Sequence, residues 1–359
     1  MRESYPLLRV RCDRIVSNGR ALIKECGARG VGLWAVSKGM SGHPEIARAF
    51  ERAGFETIAD SRLDNIRAMR GAGVALKYAL IRIPMRSELE ELAELCDYTL
   101  ISDLGTLAEL KALCERAGRS VGAVIMFDVG DLREGFWFRG AREAAREAAR
   151  CDGDFLRIAG VGANFACASG VLPSAENFEA LRGCGAALEE ELGRPLEIWS
   201  GGGTCSLSRM REGLMPARIN NLRIGEGLLL GYDTAFDREL EGLARDTMRL
   251  EAELVEARRK PTLPVGETGR DAFGNLPVFE DRGERRRGIL ALGKQDVNIS
   301  GLTPLDEGVR IITASSDHLL VDIEERPDLD VGCVLSFRPD YTAMLSASTS
   351  PYVTKLFEG

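Results

Sequence analysis

From about residue 30 the chain alternates short apolar, β-branched runs with stretches whose apolar residues recur every three to four positions. The short runs predict strands at 32–37, 56–60, 78–83, 98–102, 122–129, 155–162, 196–200 and 221–225. Between them the helical period is clearest at 43–53, 87–95, 104–117 and 141–149, the last rich in alanine with charged residues recurring four positions apart. A further amphipathic stretch, 12–26, precedes the first strand. Eight strands, each followed by a helical run, predict a (β/α)8 barrel of the TIM type. After Asp246 the pattern changes. Residues 259–287 are rich in proline, glycine and charge, including Arg285-Arg286-Arg287, and predict a long loop. Runs at 288–292, 309–314, 318–323 and 333–338 then follow with no long helix between them, which predicts a separate β domain. The expected division is 1–240 for the barrel and 241–359 for the β domain.

Composition narrows the function classes. The 359 residues are 45% hydrophobic, ample for a large core, and the net charge of −8 argues against a nucleic-acid surface. No apolar stretch is long enough to span a bilayer, and the start, Met-Arg-Glu-Ser-Tyr, has no secretory apolar region. Nine scattered cysteines without a C-x-x-C pair fit reduced thiols in a cytoplasmic setting, not disulfides or zinc. Two histidines, His43 and His318, exclude a histidine-rich metal site.

In such a barrel the strand C-termini build the active site, and three features fall there. Lys38 follows the first strand and is trailed by glycines, which makes it a candidate Schiff-base nucleophile if its surroundings suppress its charge. Ser200-Gly201-Gly202-Gly203-Thr204-Cys205-Ser206 follows the seventh strand and opens a helix near 207–212. Arg223-Ile224-Gly225-Glu226-Gly227 lies on and after the eighth. Glycine-rich turns at these two strands can hold a phosphate against backbone amides and a helix N-terminus. A phosphorylated cofactor that also reacts with an amine is required, and pyridoxal 5′-phosphate meets both demands.

The motifs Ala-Val-Ser-Lys-Gly (35–39), Ala-Asp-Ser-Arg (59–62), Arg-Ile-Pro-Met (82–85), Asp-Val-Gly-Asp-Leu-Arg-Glu-Gly (128–135), Asn-Asn-Leu-Arg-Ile-Gly-Glu (220–226), Gly-Lys-Gln-Asp-Val (293–297), Ser-Ser-Asp-His-Leu (315–319) and Thr-Ser-Pro-Tyr-Val (349–353) together carry a resemblance. The chain resembles the alanine racemase family of fold type III pyridoxal phosphate enzymes over nearly its whole length, and most of all the ornithine racemase branch. The resemblance implies a homodimer with shared active sites, each barrel mouth being completed by the partner's β domain. It implies Lys38 as the Schiff-base lysine and Arg223 as the contact to the pyridine nitrogen. Thr204 matches the phosphate-binding hydroxyl, with Ser200, Gly203, Gly225 and Glu226 nearby, and Tyr341 resembles a tyrosine reaching the phosphate from the β domain. Arg133 aligns with an arginine near the substrate carboxylate, and Asn164 takes the place of a histidine beside the pyridine-contacting arginine. Structural roles stay open for several of these: Arg133 as an ion-pair partner of Asp131 or Glu134, Tyr341 as a core or interface aromatic, Asp128 as a strand-end cap.

The departures bear on the substrate. The stretch 264–271 lacks the tyrosine that alanine racemases use as second acid/base, Gly42 stands where a phosphate-contacting tyrosine is expected, and Met126 replaces a lysine. Racemisation needs a proton-transfer group on each face of the substrate. Lys38 can serve one. For the other, His318 ranks first, Asp271 second and Lys294 third, with an interface role for His318 left open. Acidic groups in the β domain, among them Asp271 and Asp317 beside Ser316, could receive a distal amine, so a free basic amino acid such as ornithine or lysine is the expected substrate. The alternatives are a fold type III decarboxylase and a non-catalytic cofactor carrier.

Overall fold

The computed structural model describes residues 4–359, so Met1, Arg2 and Glu3 of the amino-terminal reading lie outside the described residues. The chain divides into two compact units. One is Cys12–Arg245, and the other joins residues 4–11 to Asp246–Gly359.

In the larger unit, eight parallel strands pair in the order in which they occur along the chain: Gly32–Val36, Thr57–Asp60, Lys77–Leu80, Tyr98–Ile101, Val121–Asp128, Leu156–Gly162, Ile198–Ser200 and Asn221–Ile224. The last closes on the first, with Leu222 opposite Leu33, so the sheet is a barrel without edges. All eight expected strands are present. Their near-continuous apolar runs follow from burial on both faces. Trp34, Val36, Ala59, Ala79, Leu100, Val124 and Met126 form one buried cluster, while intervening residues such as Ala35, Ile58 and Val161 are buried on the opposite pleat.

The helices begin where side chains can take up free amides. Helix Pro44–Ala53 is capped by His43, whose Nδ1 accepts the Glu45 amide at 3.3 Å, and has proline at its first position. This gives His43 its place. Asp103 caps Leu104–Ala117 by accepting the Thr106 amide at 2.7 Å, and Gly118 ends that helix in the left-handed region at φ 64°.

The second unit is mainly antiparallel. Strands run in the order Leu302–Pro304, Val334–Pro339, Met248–Pro261, Glu284–Leu290, Leu319–Asp322, Arg310–Ala314. Leu7–Arg11 pairs antiparallel with Met248–Pro261 and parallel with Thr354–Glu358, and Arg9 donates from Nε and Nη2 to Glu251 at 3.1 and 3.0 Å. The segment ahead of Cys12, grouped with the barrel in the sequence division, therefore lies in the β unit. The expected loop 259–287 is present but shorter, spanning 262–283. Its two ends are strand: Arg258 pairs with Arg287, Arg259 with Arg286 and Lys260 with Arg285. These charges sit on a ribbon that nearby acids neutralise, Arg285 donating to Asp322 at 2.5 Å and Arg259 to Glu324 at 2.9 Å. One helix, Tyr341–Thr349, interrupts the strands, capped by Asp340 accepting the Ala343 amide at 2.8 Å.

Candidate active site

Lys38 opens a single 3-10 turn immediately beyond the first barrel strand. The turn is pinned from below. Ser37 donates its amide to Ala59 O at 3.0 Å and its hydroxyl to Asp60 Oδ2 at 2.6 Å. Asp60, fully buried at the end of the second strand, also accepts Asn65 Nδ2 at 2.8 Å and the Arg62 amide at 3.0 Å. Asn65 in turn explains Gly42. A Cβ there would fall 2.4 Å from Asn65 Cβ, and φ is +59°, so no tyrosine can stand at that position.

Burial, followed by the Arg133 and Arg223 charges, pushes the Lys38 amine below its ordinary value; Cys167 and Asp60 oppose this. Suppression of charge is what a lysine needs to act as a nucleophile or base. Arg223, 7% exposed on the eighth strand, donates Nη2 to Ala163 O at 2.9 Å and to Asn164 Oδ1 at 2.8 Å, and Nη1 to Ser200 Oγ. Ser200 Oγ in turn donates to Asn221 Oδ1 at 2.6 Å. Burial pulls the Arg223 guanidinium down to about 10, which leaves it charged at neutral pH. These bonds use three of its five N–H donors, and the remainder can meet an acceptor such as a ring nitrogen.

The seventh and eighth strand ends form the expected cradle. Thr204, buried at the start of helix Thr204–Arg211, accepts the Gly227 amide at 3.1 Å and keeps its hydroxyl proton for a further acceptor. Gly202 has φ +96°, a Cβ on Gly203 would meet Arg223 O at 3.3 Å, and one on Gly225 would meet Val36 Cβ at 3.1 Å. Ser206 Oγ is buried beside this turn with no hydrogen-bond partner among the described residues. Amides of a helix start, a free hydroxyl proton and small residues suit a phosphate. Together with a suppressed amine and a buried guanidinium, this donor set fits pyridoxal 5′-phosphate. Glu226 turns its carboxylate away, to the Thr234 amide at 3.3 Å, so only its backbone is oriented for the cradle. Arg133 Nε pairs with Glu134 Oε2 at 2.7 Å, and Glu134 Oε1 accepts Asn164 Nδ2 at 2.9 Å. Asp128 accepts the Gly130 and Leu132 amides and so caps the strand end.

The remaining candidates belong to the β unit, where they gather among themselves. His318 lies exposed at a hairpin tip, its amide donating to Ser315 Oγ at 3.2 Å and its carbonyl accepting the Ser315 amide at 2.9 Å. Ser316 O accepts the Gln295 amide at 3.0 Å, and Asp317 accepts Gln295 Nε2 at 2.9 Å. Lys294 Nζ stands 3.7 Å from the centre of the Phe273 ring. Asp271 closes its own turn by accepting the Phe273 and Asn275 amides, and these bonds with Asn275, the largest cause, hold its carboxyl below the usual range. A carboxylate so stabilised is a weak proton acceptor. Tyr341 is half-buried at the first position of its helix. Sequence reasoning gave Asp60 no role and named Asp131 and Glu134 only as alternative ion-pair partners of Arg133, because a carboxylate bonded to amides and side chains distant in sequence has no period or spacing of its own.

The family model described as alanine racemase, N-terminal domain, matches residues 10–233. A lysine racemase of Thermotoga maritima is 40% identical over 354 residues, covering 99% of this chain and 99% of that one. An ornithine racemase of Acetoanaerobium sticklandii is 35% identical over 353 residues, covering 98% and 99%. Among solved structures, the alanine racemase from D-cycloserine-producing Streptomyces lavendulae shares the fold with a TM-score of 0.79 at 19% identity, over 99% of this chain and 98% of that one. The D-threonine aldolase from Filomicrobium marinum does so with a TM-score of 0.73 at 18% identity, over 96% and 88%. The chain belongs to the alanine racemase family, whose cofactor is pyridoxal 5′-phosphate.

Proposed function

We propose that this amino-acid racemase interconverts the L and D forms of a free basic amino acid, lysine or ornithine, in a homodimer whose barrels are each completed by the partner's β unit. The observation that carries the reading is the Lys38 amine, its charge suppressed by burial and by Arg133 and Arg223 at the barrel mouth. Two full-length relatives named for lysine and ornithine racemisation support the substrate class. They also favour a racemase over a decarboxylase or a cofactor carrier.

Pyridoxal phosphate, when bound, supplies an aldehyde for amine exchange and a ring that withdraws electrons from Cα. Thr204 with the Gly203 and Gly225 backbone would hold its phosphate, and Lys38 would hold its aldehyde carbon. Arg223, kept in place by Ser200 and Asn164, would donate a hydrogen bond to the ring nitrogen without surrendering its proton. By leaving that nitrogen unprotonated, Arg223 would limit the electron withdrawal to what exchange of the Cα proton needs and so disfavour transamination. Arg133 pairs with the substrate carboxylate. Lys38 Nζ moves the proton on one face, and His318 of the second copy moves it on the other. Tyr341 reaches the phosphate from that same β unit. Asp271 and Asp317, with Ser316, supply the acidic and polar surface that receives the distal ammonium. The β unit also exposes Val265, Leu276 and Val278, apolar groups suited to docking on another copy.

Chiral chromatography of each L-amino acid incubated with the holoenzyme tests the substrate class. Lysine and ornithine should approach equal L and D amounts, and alanine should remain L. Conversion of alanine alone would overturn the assignment.

A further inference from the structure

The loops that leave the fifth and sixth strands are joined by two carboxylates. Asp131, 2% exposed, lies in the first loop and accepts four amides from the second: Cys167 at 3.0 Å, Ala168 at 2.9 Å, Ser169 at 3.3 Å and Val171 at 3.2 Å. The loop it anchors needs anchoring, since Leu132 is held at φ +51°, a conformation unfavourable for a branched side chain. Three residues further on, Glu134 forms an ion pair with Arg133, its Oε2 lying 2.7 Å from Nε, and its Oε1 accepts Asn164 Nδ2 at 2.9 Å. Asn164 continues the chain by accepting Arg223 Nη2 at 2.8 Å. One carboxylate and one amide therefore connect the two guanidinium groups that act on Lys38.

This arrangement has a directional consequence. An ion pair made at Arg133 Nε leaves its two terminal nitrogens as a fork, the geometry that matches a carboxylate. A flexible arginine would lose side-chain entropy each time it closed on substrate, and one already held loses less. We propose that Asp131 and Glu134 are positioning residues: Asp131 fuses the two loops into one clamp, and Glu134 aims the Arg133 fork at the substrate carboxylate while fixing Asn164 against Arg223. The proposal rests on the reading of Arg133 as the carboxylate-binding group and adds what orients it.

Glu134→Gln keeps the shape and removes the charge. In the holoenzyme it should raise KM for the amino acid, and Kd for propionate followed by the cofactor's absorbance, by about tenfold each. The value of kcat should change far less, and borohydride should still fix the cofactor to Lys38. Asp131→Asn should act in the same direction; if it fails to fold, Glu134→Gln decides alone. Arg133→Lys is the reference. If it raises both constants while Glu134→Gln leaves them unchanged, or merely lowers the melting temperature, the positioning role is overturned and the reading of Arg133 stands. If Arg133→Lys itself leaves propionate binding and KM unchanged, the reading of Arg133 falls, and this proposal falls with it.

Discussion

At the scale of single residues, the Lys38 amine sets function against stability. The unfolded chain keeps a proton on it up to the ordinary lysine value of 10.5, whereas burial and two arginines make the folded apoprotein release that proton at lower pH. Between the folded value and 10.5 the unfolded state binds more protons, so this group makes stability rise with pH across that window. Below the window the fold carries the full cost of a charged, desolvated amine; above it the cost is gone. Lys38→Met keeps the length and discards the charge. Its apoprotein should melt about 2 °C or more above the parent at pH 7. The gain should shrink as pH approaches 10.5. A difference independent of pH would mean that side-chain packing, not the proton, is responsible. Removing the Arg133 charge should act in the opposite sense on the amine, raising the pH at which cofactor attaches to Lys38.

At the scale of elements, a glycine in the sixth strand shows how tightly the barrel closes. A Cβ on Gly160 would lie 2.2 Å from Ile198 O on the seventh strand, and that contact is backbone, which cannot swing aside. Gly160→Ala should cost about 3 kcal/mol in urea unfolding, the upper part of the range for overpacking. A loss below about 1 kcal/mol would show that the two strands can separate locally. That glycine was invisible as a packing constraint in the sequence, although the strand containing it was not. The eight barrel strands were legible because burial on both faces leaves short apolar runs, and these alternate with stretches of helical period. Lys38, Thr204 and Arg223 were legible as candidates because each falls at a strand end beside glycines. The β unit was harder. The ribbon of Met248–Pro261 and Glu284–Leu290 ends in paired basic residues, Arg259 opposite Arg286 and Lys260 opposite Arg285, with Arg259 balanced by Glu324 and Arg285 by Asp322 in a neighbouring segment. Charge without its partners reads as loop. Leu7–Arg11 was hidden for a related reason: its pairing partners lie more than two hundred positions away, and no local period announces them.

At the scale of the whole molecule, the proposed division of labour makes a quantitative demand. If Lys38 of one copy and His318 of another serve opposite faces of the same substrate, neither variant Lys38→Ala nor His318→Asn should racemise alone, yet together they should. A mixed dimer then contains one site with both substitutions and one with neither. Its intact site combines Lys38 from the His318→Asn chain with His318 from the Lys38→Ala chain. Random exchange makes half of the dimers mixed, so activity should recover to roughly a quarter of the parent's per site. Refolding the two variants together from urea, with each refolded separately as control, supplies the measurement. Recovery on mixing requires a shared site, because no exchange of whole subunits can repair a site built from one chain. If both variants are folded and bind one another but no activity returns, His318 and Lys38 act within one chain, or His318 is not the second acid/base. Lys294→Met mixed with Lys38→Ala then distinguishes these outcomes, since recovery in that pair would move the second face to Lys294 and keep the site shared.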